Sequence, residues 1–236
     1  MKPQMIGSVN DFGKFGILRC LAKFGLQVGV NWYRMPDDDV IRDRTVGYAD
    51  NAYRSCDPAL WDDLEMFAAL PGANLRDLRA MELLPAEYYG ESMDFSAIAD
   101  AAGRSSERLR WHREAMDFLF GADVFFLDAD NGLNLDPAVE TGDAVGSILP
   151  EELREYYQSG ATVMYCEKDA AKIEALQNML LDGAIPGARS LFVSCTAGVP
   201  YYCCFVMQPQ HEMLIRAELE QMLDGAWGEC LSFYKA

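Results

Sequence analysis

A continuous apolar run in the middle of the chain most strongly limits the folds open to it. Residues 122–128 follow Gly121, are largely hydrophobic and end abruptly in acidic residues. An uninterrupted apolar run between turn residues is typical of a central strand that is covered on both faces. In open α/β sheets, ligands bind just beyond the carboxyl ends of such strands. The segment therefore predicts a buried strand that leads into a site, with Asp128, Asp130 and Asn131 as candidate catalytic residues.

The rest of the chain alternates between predicted helices and strands. Hydrophobic periodicity and candidate capping residues predict these elements in chain order: a helix over 10–25, a strand over 26–33, helices over 59–70 and 75–81, a short strand at 87–89, a helix from Ser105 or Ser106 to Phe120, the strand 122–128, a helix over 150–158, a strand over 161–166, a helix over 170–181, a hairpin of 191–195 and 201–207, and a helix over 212–223. Residues 90–104 are expected to be irregular, and 133–148 to form a long loop. We therefore predict an α/β protein with one Rossmann-like domain over residues 1–236. Its doubly wound, mainly parallel sheet has helices on both faces and a C-terminal antiparallel hairpin.

Composition limits the class and the partners of the protein. Half of the 236 residues are hydrophobic, which suits one domain with a sizeable core. The sequence shows neither a bilayer-spanning apolar stretch nor a signal-peptide pattern, so we expect a cytoplasmic protein without a membrane partner. The seven cysteines include no CxxC pair, which disfavours a structural zinc site. The formal net charge of −17 disfavours contact with phosphate backbones except where basic residues cluster, and favours solubility.

The acids at the end of the central strand allow three interpretations. If the chain stays extended, the carboxylates of Asp128 and Asp130 point to the same side. With Asn131 they then supply oxygen ligands for Mg²⁺ or Mn²⁺. Alternatively, one carboxylate is a general base whose pKa is raised by the charge of the other. The structural interpretation is an Asx-turn in which Asp130 and Asn131 bond the backbone before Gly132.

Four further places supply candidate ligand-binding residues. Asp11 and Lys14 lie at a predicted helix start, where they either hold an anionic group or form a cap and a surface lysine. Asp38 belongs to an acidic cluster after the first strand, which either binds a ribose hydroxyl or is a solvated loop. Trp32 either stacks on a base or, as is commoner for tryptophan, packs in the core. Glu167 ends another buried strand, and a role as an acidic residue at a helix start is slightly favoured over a ligand contact.

The order of elements resembles the class I methyltransferase fold, and its layout is most similar to the bacterial ribosomal-RNA adenine-N6 methyltransferases. That group ends its fourth strand in Asp-Pro-Pro-Tyr, and the corresponding residues 128–131 are Asp-Ala-Asp-Asn, which share the first Asp. Residues 10–15, Asn-Asp-Phe-Gly-Lys-Phe, resemble the Asp-x-x-Lys helix start of the same group. The chain also resembles uncharacterised bacterial proteins that carry Asp-Pro-Asp-Asn-Gly at this strand end.

The methyltransferase resemblance implies S-adenosylmethionine as the cofactor and a nucleotide-like small molecule or a nucleic-acid fragment as the partner. It places Asp128 beside the target amino nitrogen. The candidate cofactor-binding residues are Asp11, Lys14, Trp32 and Asp38.

Two other functions stay open because the first strand has no glycine after Gly29, where this class of methyltransferase has a Gly-rich turn. One is a metal-dependent phosphodiesterase or nucleotide hydrolase with Asp128 and Asp130 as ligands to Mg²⁺ or Mn²⁺. The other is a non-catalytic acidic interaction protein on a degenerate enzyme fold.

Overall fold

The predicted alternation of helices and strands is present in the computed structural model, which describes residues 5–36, 43–49, 51–136 and 144–235. Its helices and strands have these bounds, in chain order: α1 Asn10–Lys23, β1 Val28–Asn31, α2 Pro58–Ala69, α3 Leu75–Ala80, β2 Ala86–Tyr89, α4 Ala101–Phe118, β3 Val124–Leu127, α5 Pro150–Gln158, β4 Thr162–Glu167, α6 Ala170–Leu181, β5 Arg189–Cys195, β6 Tyr201–Met207, α7 Pro209–Asp224 and, after a short 3₁₀ helix at Ala226–Glu229, β7 Leu231–Tyr234.

One sheet of seven strands organises the molecule, with the order β2-β1-β3-β4-β6-β5-β7. The strands β2, β1, β3 and β4 are mutually parallel. The strand β6 runs antiparallel between β4 and β5, and β7 is antiparallel to β5 at the edge. The prediction of an α/β fold with a parallel first half and a C-terminal antiparallel hairpin is confirmed. The carboxyl ends of β1, β3 and β4 therefore meet at one edge of the sheet.

Helices cover both faces of the sheet. Alternate residues of a strand point to opposite sides, so consecutive apolar residues pack against both helix layers. Val124 and Phe126 of β3 belong to a cluster with α1, α2 and α7. Phe125 and Leu127 belong to a second cluster with α4, α5 and α6. All four side chains are buried. Since burial of one large apolar side chain contributes about 1.5–3 kcal/mol, packing from both sides holds β3 firmly in place.

Some boundaries differ from the prediction. The helix α4 begins at Ala101 rather than at Ser105 or Ser106, because Asp100 caps it through a hydrogen bond from the Gly103 amide. The segment predicted to be irregular thus contains the first turn of this helix. The helix α7 begins three residues earlier than predicted, at Pro209. Proline suits the first turn because it has no backbone N–H that would be left without an acceptor there.

The edge strand β7 was missed by the prediction. It is only four residues long, and its pairing with β5 cannot be read from local sequence. Within the described part of the chain, none of the helices combines the length and hydrophobicity that a bilayer crossing requires.

Candidate functional site

A cavity of about 310 Å³ lies at the carboxyl ends of β3 and β4, beside the first turns of α1. Its volume is at the lower end of the range for small-ligand sites, about 300–1,000 Å³. The backbone of Asp128 extends the pairing of β3 with β1, because its amide donates to the Asn31 carbonyl at 2.9 Å. The charged residues among its described lining are Asp11, Lys14, Asp128, Asp130, Glu167 and Lys168.

A buried charge cluster of Asp11, Lys14 and Asp128 forms one wall of this cavity. Lys14 Nζ lies 2.8 Å from Asp11 Oδ1 and donates to Asp128 Oδ1 at 3.1 Å. All three side chains are more than 90% buried. Asp11 is held further by the Gly7 amide, which donates to its Oδ2 at 2.7 Å. Asp128 is thus buried with Lys14 as its charged partner.

The cluster sets the charge states at the site. Burial disfavours the ammonium of Lys14, but the carboxylates of Asp11 and Asp128 outweigh it and raise the Lys14 pKa well above its ordinary value. Lys14 is therefore a cation at neutral pH. Burial raises the pKa of Asp128, with Lys14 opposing this shift and Asp11 adding to it. Asp128 is accordingly a stronger base than an exposed aspartate.

Two buried carboxylate oxygens of cavity-lining residues are left without hydrogen-bond partners among the described residues. They are Asp128 Oδ2 and Glu167 Oε2, and both residues are only 4% exposed. Glu167 uses its other oxygen to accept from the amides of Lys168 at 2.8 Å and Asp169 at 3.3 Å, at the start of α6. The Lys172 ammonium lies 3.5 Å from Glu167 Oε2 and partly compensates its charge, and both oxygens have almost no solvent-accessible surface.

Among the described contacts of the turn after β3, Asn131 bonds residues 145 and 146 rather than closing the Asx-turn that the sequence allowed. The Asn131 amide donates to the Gly146 carbonyl at 3.0 Å, and its side chain donates to the Val145 carbonyl at 3.4 Å. Lys172 on α6 donates to the Asn131 carbonyl at 2.9 Å. The structure therefore places Asn131 as a link between the turn and residues 144–147, while Asp130 is half-buried at the cavity.

Two glycines allow the close approach that shapes the cavity. Gly132 has φ +62°, and a Cβ there would lie 2.2 Å from Glu167 Oε2. Gly13 on α1 is regular helix, but a Cβ would lie 2.5 Å from the Cys195 sulfur and 2.8 Å from the Tyr201 hydroxyl. Glycine at these positions brings the turn against β4 and α1 against β5 and β6.

A second buried network surrounds Arg108, outside the described lining of the cavity. Its guanidinium pairs with both carboxylate oxygens of Glu152, at 2.7 and 2.9 Å, and donates to the carbonyls of Ala144 and Ser147 at 2.6 Å. The Tyr33 hydroxyl also donates to Glu152, at 3.1 Å. Sequence reasoning missed Arg108, although it lies three and seven residues before the buried Trp111 and Ala115 on one helix stripe. A charged residue on the apolar face of a helix indicates a buried ion pair with a residue of another element.

Of the two remaining predicted cofactor residues, the structure describes only Trp32. Trp32 is buried in the hydrophobic core, where it stacks on Tyr88 with ring centroids 6.1 Å apart and meets Phe15 edge-on at 6.3 Å. Asp38, with its neighbours 37 and 39, lies outside the described residues. The structure thus brings Asp11, Lys14, Asp128 and Asp130 together at one cavity and places Trp32 in the first hydrophobic cluster.

The described residues contain no group of three or more His, Cys, Asp or Glu side chains arranged to hold a metal ion. The cation beside Asp128 is the ammonium of Lys14.

Comparison of the chain with models of known protein families, with curated proteins and with solved structures gives no significant match. The function has to be inferred from the residues of the site itself.

Proposed function

We propose that this chain is a methyltransferase-like enzyme that acts on an amino group of a nucleotide-containing substrate. The observation that carries the proposal is the position of Asp128. It is a buried acid at the carboxyl end of a central parallel strand and lines the cavity, with one oxygen accepting from Lys14 and the other without a hydrogen-bond partner among the described residues. This is where ligands bind in open α/β sheets. A carboxylate there accepts a hydrogen bond from an amino group and orients its nitrogen.

The charge of the cavity supports S-adenosylmethionine as the cofactor. Acids outnumber lysines four to two among its described lining residues, which suits a ligand that carries a positive sulfonium. When bound, this cofactor supplies an electrophilic methyl group. Asp11 and Lys14 hold Asp128 in place, and the raised pKa of Asp128 equips it to take up a proton from the amino group. The lack of a Gly-rich turn after β1 means that the cofactor has to be held by other groups than in related folds.

The partner in this proposal is a nucleotide-like small molecule or a nucleic-acid fragment. A cytoplasmic location suits the seven cysteines, all of which are free thiols in the structure. The net charge of −17 favours a small substrate over a long phosphate backbone.

Calorimetry with S-adenosylmethionine and a methyl-incorporation assay test the proposal. We expect binding at millimolar ligand or below, and methyl transfer that is abolished in Asp128→Asn. The matched control is Asp123→Asn, the same change at the opposite end of β3, where the carboxylate accepts from the Gln27 amide. No heat and no thermal shift with the cofactor would overturn the proposal.

The stability of Asp128→Asn gives a second readout. We expect a change within about 1 kcal/mol, because the loss of the Lys14 bond is offset by removal of a desolvated charge while Asp11 still pairs with Lys14. A loss of about 3–5 kcal/mol would instead make Asp128 a structural residue.

The metal-dependent alternative predicts a different result. A rise in melting temperature with Mn²⁺ that disappears in Asp128→Asn would favour a phosphodiesterase or nucleotide hydrolase. Because Lys14 already neutralises Asp128, we expect equal melting with and without the metal.

A further inference from the structure

We infer that Cys166 is a modification site at the cavity, where a small hydroperoxide oxidises its thiol and Cys203 then converts the product into a cross-strand disulfide. The inference does not depend on the proposed methyl transfer. It rests on the register of β4 against β6, on the distance between the two sulfur atoms, and on the exposure of one of the two cysteines at the cavity.

Strand pairing places the two cysteines directly opposite each other. Cys166 on β4 is the register partner of Cys203 on β6, which runs antiparallel to it. Opposite residues in such a pair have Cα atoms about 4.5–5.5 Å apart. A disulfide needs a Cα separation of about 4.4–6.8 Å, so the backbone already has the required spacing. The sulfur atoms lie 4.0 Å apart, and side-chain rotation has to bring them to about 2.05 Å.

The two faces of the sheet separate this pair from the next thiol along β6. Cys203 belongs to the first hydrophobic cluster, and Cys166 packs against that cluster. Cys204 belongs to the second cluster, on the other side of the sheet. Cys203, and not its neighbour Cys204, is therefore the thiol that can reach Cys166.

Cys166 is the member of the pair that a small molecule can reach. It is partly exposed, whereas the other five residues of β4 are buried, and it belongs to the described lining of the cavity. Cys203 is fully buried. A cavity of about 310 Å³ has room for a molecule as small as hydrogen peroxide. An accessible thiol beside a second thiol is the arrangement found in cysteines that undergo reversible oxidation.

The oxidation proceeds in two steps, each of which releases one water molecule. In the first step the Cys166 sulfur attacks a peroxide oxygen, the O–O bond breaks, and the leaving hydroxide takes up the thiol proton. In the second step the Cys203 sulfur attacks the sulfenic acid of Cys166, the S–O bond breaks, and hydroxide leaves as water with the Cys203 proton. The two thiols together lose two electrons, which reduce the peroxide. Because Cys203 is held beside Cys166, the second step is effectively unimolecular and fast.

Peptide mapping under non-reducing conditions, after exposure of the chain to hydrogen peroxide, tests the inference. We expect the peptides of Cys166 and Cys203 to be joined, with the loss of the mass of two hydrogens. Dithiothreitol should restore both thiols, and circular dichroism should show a folded chain throughout.

The pair of Cys56 and Cys230 is an internal comparison, since its sulfur atoms are also close, at 3.9 Å, but neither residue belongs to the described lining of the cavity. A disulfide between these two residues gives different peptides and is counted separately. A folded wild-type chain in which only Cys56 and Cys230 become joined, or in which Cys166 stays a thiol, would overturn the inference.

Cys203→Ser and Cys204→Ser are matched variants, because both thiols are fully buried at adjacent positions of β6 and belong to opposite clusters. Cys204→Ser should keep the disulfide. In Cys203→Ser the sulfenic acid has no thiol beside it, so labelling of Cys166 by dimedone, a reagent for sulfenic acids, should rise about tenfold or more above wild type. Unchanged labelling in folded Cys203→Ser would overturn the role of Cys203. If either variant does not fold, the wild-type peptide map still decides.

Discussion

At the scale of single residues, Lys14 decides the electrostatics of the site. Its ammonium lies between two buried carboxylates, and its raised pKa keeps it charged throughout the neutral range. The stabilisation from this pairing is present below the ordinary lysine pKa and is lost only when the pH rises through the higher value in the folded state. Near neutral pH, loss of this cation would leave Asp11 and Asp128 as uncompensated buried charges.

Lys14→Met should therefore destabilise the protein by about 3–5 kcal/mol at pH 8. The loss should be smaller at pH 5. Burial raises the Asp128 pKa, so the folded state binds a proton more readily than the unfolded state, and stability rises as the pH falls through that pKa. Urea unfolding at the two pH values measures the effect. Lys168→Met, an exposed lysine at the same cavity, should change stability by no more than about 0.5 kcal/mol. A pH-independent loss in Lys14→Met would contradict this account.

At the scale of elements, the turn after β3 and the segment 144–149 are held by a few buried contacts rather than by regular structure. Gly132 lies in the left-handed region against Glu167, and Arg108 binds two carbonyls of the segment. The turn and the segment are hydrogen-bonded to each other: the Asn131 amide donates to the Gly146 carbonyl, and the Ile148 amide donates to the Gly132 carbonyl. Loss of either the Gly132 contact or the Arg108 contact should therefore change the position of the turn that lines the cavity.

Gly132→Ala should be more destabilising than an ordinary glycine replacement at positive φ. The left-handed conformation alone disfavours alanine by about 1–2 kcal/mol, and the clash with Glu167 adds to that. Gly183→Ala isolates the first effect, because that glycine has φ +79° and nothing within 4 Å of the Cβ position. Urea unfolding should rank Gly132→Ala well above Gly183→Ala. Similar losses would mean that the turn relaxes away from β4 without penalty.

Arg108→Met should destabilise the protein by about 3–5 kcal/mol, because it leaves Glu152 charged and buried without its partner. Hydrogen exchange should also accelerate at the amides of Asn131 and Ile148, which bond within the clamped turn and segment. Arg110→Met on the same helix removes exposed pairs with Glu107 and Glu114 and should cost no more than about 1 kcal/mol. Unchanged exchange at those amides would show that Arg108 does not hold the segment.

At the scale of the whole molecule, two hydrophobic clusters share one sheet. The side chains of β3 alternate between them, so neither cluster can form without that strand. A chain organised in this way is expected to unfold as one cooperative unit, as the single-domain prediction implies.

Pulsed hydrogen exchange during urea unfolding tests this cooperativity. Peptides from α2, in the first cluster, and from α5, in the second, should lose protection at the same urea concentration. Two resolved midpoints would show that the clusters are separate folding units.

The sequence by itself determined the fold class and predicted the strand end at Asp128, whose acids line a cavity. The apolar run into Asp128 could be interpreted without tertiary information, because burial on both faces requires apolar residues at consecutive positions and acids end such a strand. Helix caps and turn glycines are local signals too, which is why most of the element order was predictable. Boundary errors arose at Ala101 and Pro209, where neighbouring polar residues offered competing starts.

Only the tertiary structure decided which charges meet. Lys14 and Asp128 are 114 residues apart, and Arg108 and Glu152 are 44 apart, so no local spacing reveals either pair. The same holds for Trp32, whose chemistry suits both a base-stacking platform and a core, and which the packing of Phe15 and Tyr88 places in the core. The burial of the Glu167 carboxylate likewise becomes visible only when β4, α6 and the turn at Gly132 are assembled, because its neighbours come from distant parts of the sequence.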